Sequence, residues 1–566
     1  MKKIVLSIIG VALVIGVAVA VFIHTSRGEE KQSLKPIEDP VFVYVNLEQL
    51  ATKGAFDKFI TPENRSFIAT VLSSLFEKTE DAEHIKNIVT NLNAIGIDTK
   101  QSIYGYVNDD LTDCVLMANV SNVVQLDRSV ALLSYILEQN GEETIAVTTE
   151  NDMRTFEYED LFVAYNTSAL AVAVGEGDDV MGVAIDAINR PQMDISLFGA
   201  SDMAVLINTE KCLQMASAKV DRAILDLNKM YNAGEIDEEM LCAQSEALAE
   251  NQELIDSYMS YFAPNSNVML SATFDLGRMT LAYNTQGVSF GEYAGISKPT
   301  NAEHLSYLGK DSFMVMSAGV DGKLLAQLIR TLLDGNMLES VGVTPTNEVN
   351  MVISIVCDAL STINGGTTLA LENIEGEIKQ RYNYYWDEYN IEPSIDTVKA
   401  MLMMDVTDTY IISNIAQFAG GFLNKRDATH YSLSLMGYNF SMGQDENLFH
   451  LGVNMTPEVQ TPSALDSAWA KDVDGALGFI AIDVDSLISG KFMQSANKYI
   501  ASQLLEEYRE LYSNAIEAVS YVYASVDSLE SAEFVVVFDN KEANALEQIN
   551  ALVLPTLVEE CVKSLY

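Results

Sequence analysis

Four short apolar runs recur along the 566-residue chain, and each leads into sequence with a helical pattern. The first run, Val41–Val45, ends at Asn46, a residue type that commonly caps helix N-termini. The other three are Met203–Ile207 before Asn208, Phe313–Ser317 before Ala318, and Leu477–Ile482 before Asp483. Ala318 follows Asn46 by 272 residues, and Asp483 follows Asn208 by 275 residues. Two nearly equal offsets predict an internal duplication.

The segments between these runs have the patterns of antiparallel hairpins. In the first half, Ser102–Val107 and Cys114–Val120 flank the acidic turn 108–113, and Thr367–Glu372 with Gln380–Trp386 is the counterpart in the second half. Strands that alternate with helices through short turns are typical of α+β proteins. We therefore expect duplicated domains of antiparallel sheet packed with helices, plus one N-terminal transmembrane or signal helix.

Changes in composition and pattern suggest the domain boundaries. Residues 1–28 form an export segment, and residues 29–40 form a polar linker. A first α+β lobe covers residues 41–290 and contains a helical hairpin near 211–262. A second, related lobe covers residues 303–566, after a glycine- and proline-containing boundary.

The N-terminal apolar run Ile4–Ile23 contains no charge and follows Lys2 and Lys3. About twenty apolar residues match the hydrocarbon core of a bilayer, so the run can span a membrane through residues 4–23. Ala18-Val19-Ala20 also resembles a signal-peptidase site, which leaves a secreted or periplasmic product as the alternative. We predict an anchor in the inner membrane of the cell envelope, with the large domain outside the cytoplasm.

The charge balance limits the classes of partner. The chain has 80 acidic and 34 basic side chains, a formal net charge of −46. Such a chain repels a phosphate backbone, so nucleic acid is excluded as a partner. Against this, 48% of the residues are hydrophobic, which indicates folded globular domains and not a disordered acidic tail.

The opening Val45-Asn46-Leu47-Glu48-Gln49-Leu50, the strand Gly365–Asn373 and the run Phe479–Leu487 together form a familiar pattern behind an export segment. This pattern resembles an uncharacterised family of large exported Bacteroidota proteins, annotated only as a domain of unknown function, over roughly residues 38 to 560. The resemblance implies an exported α+β protein and brings no catalytic residues. Members usually carry an N-terminal lipid-anchor cysteine, which this chain lacks.

Few residues have the spacing of a known catalytic or metal-binding motif. The five cysteines show no C-x-x-C pair, and the five histidines are scattered, so no metal site and no cofactor are predicted. Gly287–Gly291 matches G-x-S-x-G, but no helix pattern follows it, so we assign no catalytic residue there. The acidic turn 108–113 lacks the spacing of a calcium-binding loop.

One aromatic stretch, residues 382–389, is a candidate ligand-binding site. On a strand, Tyr382, Tyr384 and Trp386 would share one face and could stack on a sugar or dock a peptide. Packing of the same rings in a core or interface is the alternative.

The function that these features favour is that of a membrane-tethered, extracytoplasmic and non-enzymatic envelope protein. It would act by binding an unidentified envelope protein. The alternative is a glycan- or peptide-binding module that uses residues 382–389, and a third hypothesis is a hydrolase whose carboxylates cannot be identified among 80 acidic residues.

Overall fold

The computed structural model describes residues 39–564 except 74–78, 109–112, 140, 176–178, 191–197, 260–261, 290–293, 333–346, 384–387 and 420. The described chain divides into two compact units. Unit 1 comprises the described residues up to Ser289 together with those from Lys541 onward. Unit 2 comprises the described residues between Ser289 and Lys541. Both units contain helices and antiparallel sheet, so the chain has an α+β fold.

Unit 1 contains ten strands and nine α-helices within the described residues. Its strands are β1 Val41–Val45, β2 Ile103–Val107, β3 Asp113–Asn119, β4 Thr148–Glu150, β5 Met153–Tyr158, β6 Leu161–Tyr165, β7 Ala169–Gly175, β8 Met203–Asn208, β9 Phe262–Asp275 and β10 Arg278–Val288. Its helices before β10 are α1 Leu47–Gly54, α2 Phe56–Phe59, α3 Pro62–Ser73, α4 Thr79–Thr90, α5 Val123–Gln139, α6 Val180–Asn189, α7 Thr209–Ala233 and α8 Glu238–Met259. A further helix from the C-terminal end of the chain is described below.

Unit 2 has the same kinds of element in a similar sequence. Its strands are β11 Ser297–Lys298, β12 Met314–Asp321, β13 Ile363–Asn383, β14 Glu388–Val406, β15 Asn424–Lys425, β16 Tyr431–Leu435, β17 Tyr438–Asp445, β18 Leu448–Val453, β19 Gly478–Asp483, β20 Val519–Ser528 and β21 Ser531–Phe538. Its helices are α9 Gly322–Leu332, α10 Asn347–Leu360, α11 Tyr410–Ala419, α12 Val484–Ser489, α13 Lys491–Gln503 and α14 Glu506–Glu517.

The strands of the two units are ordered in the same way. In unit 1 the order is β10-β9-β8-β1-β2-β3-β7-β6-β5-β4, and every neighbouring pair is antiparallel. In unit 2 the order is β21-β20-β19-β12-β13-β14-β18-β17-β16-β15, again antiparallel throughout, with the short β11 also paired to β12. Each position in one order has its counterpart in the other.

Helix caps mark the junctions where the apolar runs end. Asn46 Oδ1 accepts a hydrogen bond from Gln49 N, Asn208 Oδ1 accepts one from Lys211 N, and Asp483 Oδ1 accepts one from Ser486 N. The third junction differs from the sequence prediction, because Ala318 lies inside β12 and Asp321 is the residue whose Oδ1 accepts from Leu324 N. Asp321 follows Asn46 by 275 residues, the same offset that separates Asp483 from Asn208.

The strand β12 extends past Ala318 because small residues there allow close backbone approach. A Cβ on Gly319 would overlap Lys298 O, so only glycine fits beside β11. Opposite it, β13 supplies Gly366 and Gly365 to the same ladder. These small residues contribute little apolar character, which is why the sequence pattern ends the strand too early.

The C-terminal helix α15, Ala545–Ser564, packs against α1 and α2 in unit 1. Asn550 Nδ2 donates to Gly54 O over 2.7 Å, and Asn544 Nδ2 donates to Phe274 O over 2.8 Å. The predicted second lobe ran to residue 566, so the structure differs by assigning Lys541 onward to unit 1. These contacts cross about 270 to 500 positions of sequence, which a local pattern does not reveal.

A buried ion pair connects α1 to the start of β8 in unit 1. Asp202 is fully buried, and its Oδ2 lies 2.7 Å from Lys53 Nζ and accepts a hydrogen bond from Phe274 N over 2.7 Å. Burial raises the pKa of Asp202, and the hydrogen bonds from Lys53 and Phe274 N oppose that rise.

Replacing Lys53 with methionine is therefore expected to destabilise unit 1 by about 2 kcal/mol. The cost stays below that of an orphaned buried charge because Asp202 can take up a proton. Hydrogen exchange of the β8 amides measures the change. Lys58→Met, which removes a more exposed pair with Glu547, is the control and should change exchange little.

The predicted membrane span, residues 4–23, lies outside the described residues. Within the part of the chain that the structure describes, no helix is both long enough and apolar enough to cross a membrane.

Candidate functional site

A polar pocket of about 410 Å³ opens in unit 2 beside the end of β14. It is lined by Asn301, Asn364, Asp405, Val406, Thr407 and Asn447. Asp405 is the one ionisable residue in this lining, and 24% of its side chain is exposed. The hydrogen bonds of Asp405 therefore determine the charge that the pocket presents.

Three different residues donate hydrogen bonds to the Asp405 carboxylate. Gly366 N lies 2.7 Å from Oδ2, His304 Nε2 lies 3.1 Å from Oδ1, and Asn301 Nδ2 lies 3.0 and 3.2 Å from the two oxygens. Burial raises the pKa of Asp405. The hydrogen bond and the charge of the His304 ring lower it, and so do the hydrogen bonds from Asn301 and Gly366 N. The net result is a pKa below the ordinary value. Asp405 is therefore ionised at neutral pH.

Local structure places each donor. Asn301 caps the 3-10 helix Ala302–Tyr307 by accepting from Glu303 N over 3.0 Å, and its amide group then points to Asp405. His304 follows in the same helix and is 1% exposed. A Cβ on Gly366 would lie 2.6 Å from the Asn301 Cβ, so glycine is needed for Asn301 to come this close.

The network continues inward from His304 to two hydroxyl groups. His304 Nδ1 lies 2.9 Å from Thr368 Oγ1, and Thr368 Oγ1 lies 2.9 Å from Ser317 Oγ on the neighbouring strand. The order hydroxyl, imidazole, carboxylate is that of a catalytic triad. Here, however, Thr368 is fully buried and the carboxylate faces the pocket, so the hydroxyl that would act as nucleophile has no route to a substrate. The arrangement suits a structural network that holds the 3-10 helix against β13 and β14.

A second polar cluster in unit 2 joins the segment just before β16 to β17 and β18. His430 Nδ1 lies 2.9 Å from Asp427 Oδ1, and its Nε2 lies 3.3 Å from Asp445 Oδ1. The ring of His450 lies 5.7 Å from that of His430 between centroids. The strand register pairs His450 with Gly443, whose missing side chain leaves room for both rings.

The two histidines have opposite electrostatic environments. Burial lowers the pKa of His450 to about 4, with Asp445 opposing and His430 adding to the shift. Burial also acts to lower the pKa of His430, but hydrogen bonds to Asp427 and Asp445 outweigh it and raise that pKa. Among the described residues, no group of three or more His, Cys, Asp or Glu is arranged to hold a metal ion.

Neither cluster was predicted from the sequence, in which the histidines are scattered. His304 and Asp405 are 101 positions apart, and His430 and His450 meet only through strand pairing. The one usable signal was Asn301 three positions before His304, ahead of a helical turn.

The predicted aromatic site lies mostly outside the described part of the chain. Tyr384 and Trp386 fall within residues 384–387, and of Tyr382 only the backbone is described. Tyr382 belongs to β13 and pairs with Tyr389 of β14. Of the acidic turn, the described ends Asn108 and Asp113 hydrogen-bond to each other, with Nδ2 of the asparagine 2.6 Å from Oδ2 of the aspartate.

Comparison with known proteins found no matching family model and no curated relative. Three crystal structures of TP0453 show a weak likeness. Crystal form III has 15% identity and a TM-score of 0.21, over 46% of this chain and 82% of that chain. Crystal form IV has 15% identity and a TM-score of 0.20 over 44% and 81%, and crystal form I has 14% and 0.21 over 46% and 83%. A likeness this weak carries no information about function.

Proposed function

We propose that this chain is a membrane-tethered, extracytoplasmic and non-enzymatic protein that acts by binding another protein of the cell envelope. The tether is the apolar run 4–23, which precedes the first strand by a short polar linker. The binding role rests on one surface, the outer side of α10 in unit 2.

Four large apolar side chains are exposed on α10. Their exposed fractions are 60% for Met351, 56% for Val352, 37% for Ile355 and 47% for Val356. The spacing i, i+1, i+4, i+5 places all four on one side of the helix, while Cys357 is fully buried. Contiguous exposed apolar side chains are a feature of protein interaction sites. We therefore assign the protein-binding role to this apolar stripe on α10.

We infer that the two units arose by internal duplication. Their common strand order and the shared 275-residue offset of their helix caps support it. The ends of β3 and β14 add a further correspondence, since Leu116-Met117-Ala118-Asn119-Val120 aligns with Leu402-Met403-Met404-Asp405-Val406. In this alignment Asn119 replaces Asp405, so the carboxylate network belongs to unit 2.

Site-specific photo-crosslinking in cells tests the binding role. A photoreactive residue at Val352 of the full chain is expected to give one discrete crosslinked species, which Ile355→Asp abolishes. The same residue at the exposed Ser502 on α13 serves as the control and should give none. Equal crosslinking at both positions, or none at Val352, would refute the proposal.

The second candidate function is binding of a glycan or peptide at residues 382–389. One observation favours it. From Asn373 to Asn383, β13 pairs with β14 beyond the last residues that pair with β12 and β18. The described ends of the aromatic stretch, Tyr382 and Tyr389, therefore pair with each other on an extended hairpin. A glycan or peptide array probed with the chain and with the double variant Tyr384→Ala/Trp386→Ala tests this role. The role requires that the chain bind at least one member of the array and that the double variant not bind it.

A further inference from the structure

Helix α8 in unit 1 carries six carboxylates and no basic residue. Glu238, Glu239, Glu246, Glu250, Glu253 and Asp256 are all exposed. The opposite side of α8 packs against α7, where Gln252 Nε2 donates to Ser217 Oγ over 2.9 Å. The helix therefore has one side bound within unit 1 and one charged side open to solvent.

The open side has an ordered pattern with a seven-residue repeat. Met240, Ala247 and Leu254 form an exposed apolar column, with Met240 49% and Leu254 55% exposed. Glu239, Glu246 and Glu253 form a parallel acidic column one residue earlier. Residues seven positions apart lie nearly in line along a helix axis. The apolar column therefore resembles the seam of a coiled coil, and the acidic column resembles one of its charged flanks. We call these two columns together the outer face of α8.

The α7–α8 hairpin fixes this face before any partner binds. Gly234 ends α7 with φ +76°, and Asp237 Oδ1 accepts a hydrogen bond from Met240 N over 2.8 Å at the start of α8. A surface ordered in advance loses little conformational entropy on binding.

The charge of the outer face selects the kind of partner. A second copy of this chain would bring the same acidic column and the same net charge of −46, so self-association is opposed. Lysine or arginine side chains would complement the acidic column, and the seven-residue repeat matches the side-chain spacing of another helix.

The geometry points to the outer face of α8 as a docking site for a basic amphipathic helix of a partner protein. Apolar side chains of that helix pack on Met240, Ala247 and Leu254, and its basic side chains pair with Glu239, Glu246 and Glu253. This docking site lies in unit 1 and is separate from the stripe on α10, so the inference goes beyond the proposed function.

A peptide titration tests the inference on the full chain in detergent. The probe is a fluorescent 21-residue helical peptide with leucine at its seam and lysine at the flanking positions, and its counterpart carries glutamate for lysine. We expect the lysine peptide to bind and the glutamate peptide not to bind. The variants Met240→Gln/Leu254→Gln and Glu239→Gln/Glu246→Gln/Glu253→Gln should each weaken binding of the lysine peptide at least tenfold.

The matched control removes three carboxylates from unit 2, where Glu458, Asp474 and Glu510 are exposed. Glu458→Gln/Asp474→Asn/Glu510→Gln should change affinity less than twofold. Absence of lysine-peptide binding, or equal weakening by the control, would overturn the inference. The crosslink at Val352 tests the proposed function at a different helix, so either result can fail without the other.

Discussion

Asp405→Ala is expected to lower the free energy of unfolding of unit 2 by about 4 kcal/mol. The substitution leaves three donors without their acceptor, namely the buried His304 ring, the Asn301 amide and Gly366 N. Each unsatisfied buried donor costs about 1 to 3 kcal/mol, and the more exposed ones cost the least because water can replace the carboxylate. The loss is large because one side chain joins three chain segments.

Tryptophan fluorescence during chemical denaturation measures this change. The two tryptophans of the chain, Trp386 and Trp469, both belong to unit 2, so their signal reports that unit. Asn119→Ala alters the corresponding strand end in unit 1 and should leave the tryptophan transition unchanged. A loss below about 1 kcal/mol for Asp405→Ala would show that the network contributes little.

The second large effect is a loss of stability of unit 2 on acidification, by about 3 kcal/mol between pH 6.5 and pH 4. His450 has a folded-state pKa of about 4, below its ordinary value of 6.5. Within this window the unfolded chain binds a proton at His450 that the folded unit does not bind. Unfolding is therefore favoured as the pH falls, and the stability recovers as the pH rises to 6.5.

Comparing the chain with His450→Phe isolates this contribution. Phenylalanine does not titrate and is close in size to the buried ring, so the variant should lose most of the slope between pH 4 and pH 6.5. The raised pKa of His430 acts in a separate window, because its stabilisation is complete below pH 6.5 and is lost as the pH rises through its folded-state pKa. The same pH slope in both proteins would be evidence against the assignment to His450.

The sequence predicted those features of the fold that depend on local patterns. Apolar runs followed by Asn46, Asn208 and Asp483 gave strands that end in helix caps, because a short polar side chain there satisfies a free backbone N–H. Alternating strands with short turns gave the α+β class with antiparallel sheet. The duplication remains a prediction, which the shared strand order supports.

The features that sequence reasoning missed depend on contacts between distant residues. The Asp405 network joins positions 301, 304, 366 and 405, and no spacing rule links them. The return of α15 to unit 1 depends on contacts such as that between Asn550 and Gly54. The strand end predicted at Ala318 was wrong because Gly319, which carries no apolar signal, lies inside β12 and the strand continues to Asp321.

Cysteine labelling tests whether the large domain lies outside the cytoplasm on a membrane tether. Cys242 is exposed on α8, whereas Cys357 is buried in α10. In spheroplasts of a bacterial host that produces full-length chain with Cys242 as its single cysteine, a membrane-impermeant maleimide should label Cys242 fully before lysis. The membrane fraction should retain the labelled chain, and a variant with Cys357 alone should react only after denaturation. Labelling of Cys242 only after the membrane is broken would place the domain on the cytoplasmic side and refute the proposed topology.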